Sequence, residues 1–64
     1  MTRYKIESDG EIEWIGYAHD AEHALHKAFY YEEPVSTEIY KVFKATKMGW
    51  EFVGEYAGLE LLMY

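Results

Sequence analysis

The chain has 64 residues, half of them hydrophobic and 19% aromatic, and twelve Asp and Glu outweigh six Lys and Arg for a net charge of −6. This composition excludes a disordered chain, which would have few aromatics, and argues against direct nucleic-acid binding, which needs Lys and Arg to neutralise phosphates. With no cysteine there is neither a disulfide framework nor thiolate chemistry, and no stretch approaches the roughly 20 apolar residues of a membrane-spanning helix.

Residues 1–64 are expected to form one domain, near the lower size limit for folding without a disulfide, a metal or a partner chain. No long apolar run follows Met1 to Ile6, so no signal peptide is expected, and the absence of cysteine fits a reducing cytoplasm. Seven tyrosines and two tryptophans are many for so small an interior. Some must lie at the surface, and Tyr and Trp are enriched in interface cores.

Residues 2–8 alternate, with Tyr4 and Ile6 on one side and Arg3, Lys5 and Glu7 on the other. Residues 11–18 alternate too, setting Ile12 and Trp14 against Glu11 and Glu13. Both runs predict strands with one buried face. Two loops could join them. A two-residue loop at Asp9-Gly10 pairs Ile6 with Glu13, which mixes apolar and acidic residues on one face. A three-residue loop, Ser8-Asp9-Gly10, pairs Ile6 with Ile12, Tyr4 with Trp14 and Lys5 with Glu13. The hydrophobic pattern favours the second register, with Gly10 at a left-handed position.

Residues 20–33 predict a helix. Asp20 is a suitable N-cap and Glu22 adds negative charge to the first turn. Ala21, Ala24, Leu25, Ala28 and Phe29 form one continuous apolar stripe, and Pro34 is expected to end the element. Residues 36–47 fit helical spacing through Ile39, Val42, Phe43 and Thr46, but their β-branched and aromatic content favours a strand. Lys47-Met48-Gly49 then forms a hairpin loop into residues 50–56, which sets Lys41 opposite Glu55. Residues 58–64 predict a short fifth strand or a terminal turn that packs its leucines on the core. The expected fold is α+β: an antiparallel ββαββ sheet with one helix on one face.

Several chemistries have candidate residues in this sequence. His19, His23 and His26 are spaced for one helical face, yet HExxH is absent, so no metal or cofactor is expected; sensing a metal or small molecule through them is the weakest reading. Glu11 with Glu13 and Glu51 with Glu55 could form carboxylate pairs, but acid/base catalysis needs carboxyls about 5–10 Å apart beside a cleft that a one-helix domain has little room for. Ser8 and Ser36 lack a nucleophile motif, and no glycine-rich phosphate loop is present. The chain is therefore expected not to be an enzyme.

Aromatics interleaved with acids remain. They point to docking on a basic protein surface, with Glu7, Glu11, Glu13, Glu51 and Glu55 as contacts and Trp14, Tyr17 and Trp50 as anchors. Association of that kind is sensitive to salt. The alternative is a structural homodimer that uses its uncovered sheet face or the apolar tail Leu59, Leu61, Leu62 and Met63.

The segment Gly16-Tyr17-Ala18-His19-Asp20-Ala21-Glu22-His23-Ala24-Leu25-His26-Lys27-Ala28-Phe29 resembles the strand-to-helix joint of short accessory proteins of phages and plasmids. These include small acidic inhibitors of host polymerase, restriction and CRISPR machinery. The resemblance implies a small binding protein that blocks a host target; the acidic and aromatic pattern adds that the target is expected to be a basic, nucleic-acid-handling protein. It carries over no functional residue.

Overall fold

A computed structural model describes residues 1–63. Two hairpins flank a helix in the order β1 (Thr2–Ser8), β2 (Glu11–Ala18), α1 (Ala21–Ala28), β3 (Ile39–Thr46), β4 (Gly49–Ala57) and α2 (Gly58–Leu62). The four strands form one antiparallel sheet in the order β2-β1-β3-β4. This is the expected α+β fold, with strand rather than helix at residues 39–46. The terminal leucines form the short helix α2 instead of a fifth strand; Tyr64, the last residue of that predicted segment, lies outside the described residues. No helix is long and apolar enough to cross a membrane among the described residues.

One face of the sheet carries the core. Tyr4, Ile6, Tyr40 and Val42 from the two central strands pack with Ala18, Ala24 and Leu25, and Trp14, Phe29, Tyr56 and Leu61 close over them. The alanines of α1 let the helix lie close on β1 and β2. Asp20 caps it as expected, its Oδ1 accepting from the His23 N–H at 2.8 Å.

The helix stops at Ala28, five residues short of the expected end at Glu33. Phe29 instead meets the ring of Tyr40 edge-on, with centroids 4.9 Å apart. Beyond it, Glu32 takes the next stripe position, and Glu32 and Glu33 would set two negative charges against the negative end of the helix dipole. The following loop is pinned from three sides. The Val35 N–H donates to the Tyr40 hydroxyl, the Ser8 hydroxyl to Glu38 Oε2, and the Gly58 N–H to the Glu38 carbonyl.

The first hairpin departs from the expected register. Its loop is the two residues Asp9 and Gly10, at φ 53 and 78, which are the paired positive angles of a type I′ turn. Ser8 pairs with Glu11 and Glu7 with Ile12; Ile6 then pairs with Trp14, Tyr4 with Gly16 and Lys5 with Ile15. A bulge at Glu13 makes this possible. The extra residue turns Trp14 back to the core face, so the apolar–acidic clash that argued against a two-residue loop never arises. It also puts Ile12 and Trp14 on opposite faces, where the alternation had placed them together.

The second hairpin repeats the device. Thr46 pairs with Gly49 across a two-residue loop, and an irregularity at Val53 restores the expected Lys41–Glu55 pair. That bulge separates the two carboxylates expected on one face: Glu51 lies opposite Lys44 on the helix side, and Glu55 opposite Lys41 on the other.

Candidate functional site

Helices and loop cover one face of the sheet and leave the other open. The register defines what the open face presents. At one end β2 and β1 contribute Tyr17 opposite Arg3, and β3 and β4 contribute Ala45 opposite Trp50. The next row runs Ile15, Lys5, Phe43, Phe52 across the four strands. The third runs Ile12, Glu7, Lys41, Glu55. Two rows are thus aromatic and aliphatic with two cations, and the third is mixed in charge.

The side chains within the two apolar rows are organised. Lys5 Nζ lies 5.0 Å from the Phe43 ring centroid and 4.9 Å from that of Trp50, and it pairs with Glu7 Oε2 at 2.8 Å. The Arg3 guanidinium carbon lies 5.9 Å from the Trp50 centroid. Phe43 and Phe52 pack edge to face at 5.7 Å. Both cations therefore fold onto the rings instead of standing clear of the surface, and their stems extend the apolar area. Tyr17 at 58%, Phe52 at 52% and Ile15 at 41% of full exposure are large apolar groups left in solvent together. Clustering of this kind marks an interaction surface, where single exposed residues would not.

The charge is divided as well. Arg3, Lys5 and Lys41 against Glu7 and Glu55 give the open face a charge of +1, so the rest of the chain carries −7 of the total −6. Acid was expected on this surface in quantity. It is concentrated instead in turns, the bulge at Glu13, the helix side of β2 and β4 at Glu11 and Glu51, the helices and the loop before β3.

Of the eight residues predicted for partner contact, the fold brings four to the open face: Glu7, Tyr17, Trp50 and Glu55. Trp14 packs against the core, its indole folded over Gly16. Glu11 and Glu51 register with the helix-side residues Ser8 and Lys44, and Glu13 is the bulged residue on the β2 edge. Arg3, Lys5, Ile15, Phe43 and Phe52 complete the surface without having been predicted for it. The signal for two of them was present, since Arg3 and Lys5 form the outward side of residues 2–8. Their importance follows from the central position of that strand.

The histidines were the other candidate cluster. His19 and His23 stack with ring centroids 4.9 Å apart, and the His19 N–H donates to His23 Nδ1 at 3.0 Å. Two of the three imidazoles are thus engaged with each other at the helix start. Among the described residues, no group of three or more His, Asp or Glu side chains is placed to hold a metal ion. On the helix side a groove runs between α1 and α2, with Leu25, Phe29, Tyr56 and Leu61 as its floor and Glu22, His26 and Glu33 at its rim.

No family model matches this chain, and neither a curated protein nor a solved structure matches it.

Proposed function

We propose that this chain is a non-catalytic protein-interaction module and that its open sheet face is the docking surface. One observation carries the proposal: Arg3 and Lys5 folded onto Phe43 and Trp50, flanked by exposed Tyr17, Ile15 and Phe52, on a face that no other element among the described residues covers. Trp, Tyr and Arg are the residues on which binding energy concentrates, and rings held by neighbouring cations lose little freedom on docking. Both edge strands are bulged, which discourages a partner from adding a strand at the rim. The face is thus favoured over the edges.

A second reading concerns the partner. The net charge of −6 steers the chain toward a basic protein at long range, while the open face itself, at +1, supplies aromatic contacts and not acid. It supports the setting that the resemblance to small acidic phage and plasmid inhibitors implies, a cytoplasmic protein that blocks a nucleic-acid-handling target.

The test compares capture of proteins from a lysate of the organism that encodes the chain by the wild type and by Phe52→Glu, with matched melting curves. Loss of specific capture by the variant supports the open face. Equal capture overturns it. Capture that persists in about 0.5 M salt overturns the basic-partner reading, since screening removes the attraction between exposed charges.

A further inference from the structure

We infer that the open face docks on a second copy of this chain, giving a closed two-fold sandwich with its dyad along the strands between β1 and β3. The inference rests on the proposed docking role of that face and names its occupant. A rotation about that axis keeps each row in place and reverses the strand order, so residues from β2 meet residues from β4 and residues from β1 meet those from β3. Under this operation the register brings apolar groups together at both ends of the first two rows and opposite charges together at the centre of the third.

In the first row Tyr17 meets Trp50 of the second copy and Arg3 meets Ala45. In the second Ile15 meets Phe52, and Lys5 meets the ring of Phe43. In the third Glu7 meets Lys41, forming an ion pair across the interface, while Ile12 meets Glu55 at the rim. No acid meets an acid and no cation meets a cation. The alternative dyad, along the rows, would set Lys5 against itself.

Size and packing agree. The two sheets would keep their strands aligned to within about 30°, the ordinary packing of sandwiches. Four strands at about 4.8 Å spacing make a patch roughly 20 Å on a side, so the pair would bury about 800 Å² in total, the size of a weak, concentration-dependent interface. The like charge of the two chains opposes association, but most of it lies off the open face, outside the dimer.

The two-fold sandwich has a salt signature of the opposite sign to docking on a basic protein. Screening weakens the repulsion between two chains of charge −6, so the dimer strengthens as salt rises. Light scattering of the whole chain from about 1 to about 300 μM, at low and about 0.5 M salt, tests it. The expected result is a mass rising to twice 7.6 kDa, more readily at high salt. Phe52→Glu should weaken association at least about tenfold, a loss of about 1.4 kcal/mol. Glu7→Lys and Lys41→Glu should each weaken it, and the double exchange should restore it. A monomer under every condition overturns the inference while leaving the docking role of the face intact, because capture by wild type and Phe52→Glu judges that separately. A dimer indifferent to Phe52→Glu and to both charge reversals places the contact elsewhere and also overturns it.

Discussion

Lys5 on β1 bridges two neighbouring strands: its Nζ lies 4.9 Å from the Trp50 ring centroid on β4 and 5.0 Å from that of Phe43 on β3. A charged residue on a central strand is thereby folded into an aromatic surface. The two tryptophans are consequently predicted to differ. Trp50→Ala removes exposed cation–π contacts and should cost about 1 kcal/mol of stability. Trp14→Ala opens the core side and should cost about 3 kcal/mol. Urea unfolding of both variants checks the order; equal losses would show that the two faces are not as different as their packing implies.

Gly58 begins α2 where the chain passes against the loop before β3. A Cβ there would fall 1.8 Å from the Val35 carbonyl oxygen, and its own N–H is held by the Glu38 carbonyl. Backbone cannot yield as a side-chain tip can. Gly58→Ala should therefore destabilise the fold by roughly 2 kcal/mol or more, with Leu61 withdrawn from the core. A thermal melt within a degree of the wild type would contradict this close approach.

The Asp9-Gly10 turn gives an asymmetric pair of outcomes. Gly10→Ala places a Cβ at φ 78 and should cost about 1–2 kcal/mol. Asp9→Asn keeps a residue that tolerates φ 53 and should be neutral or slightly stabilising. Chemical denaturation checks both: a Gly10→Ala variant as stable as the wild type, or an Asp9→Asn variant that loses as much as Gly10→Ala, would contradict the paired positive angles of this turn.

Ser8 is 4% exposed, and its hydroxyl donates to Glu38 Oε2 at 2.6 Å across thirty residues. Ser8→Ala leaves that carboxylate without its partner. The expected cost is about 1–3 kcal/mol, with faster amide exchange in residues 35–38. Unchanged exchange there would mean that the loop is held by Tyr40 and Gly58 alone.

The fold was largely legible because its signals are local. Asp20 and the alanine stripe mark the start and buried side of α1, and the β-branched and aromatic run from Ile39 to Phe43 marks β3. The bulges were not legible. Nothing near Glu13 or Val53 announces an extra residue, yet each reverses which face the following side chains take. That is why Trp14 and Glu51 were expected with Glu55 and Tyr17 but lie across the sheet from them. The open face was hidden for a related reason. Its composition depends on β1 lying between β2 and β3, a long-range pairing that places Arg3 and Lys5 among rings from β3 and β4.

The central claim is that the open sheet face is where this chain meets its partner. The most direct measurement is specific capture by immobilised wild type and by Phe52→Glu, with melting curves confirming that both are folded. The account predicts that the variant, folded but with a carboxylate between Phe43 and the partner, retains none of the specific capture. Undiminished capture by the folded variant would contradict it.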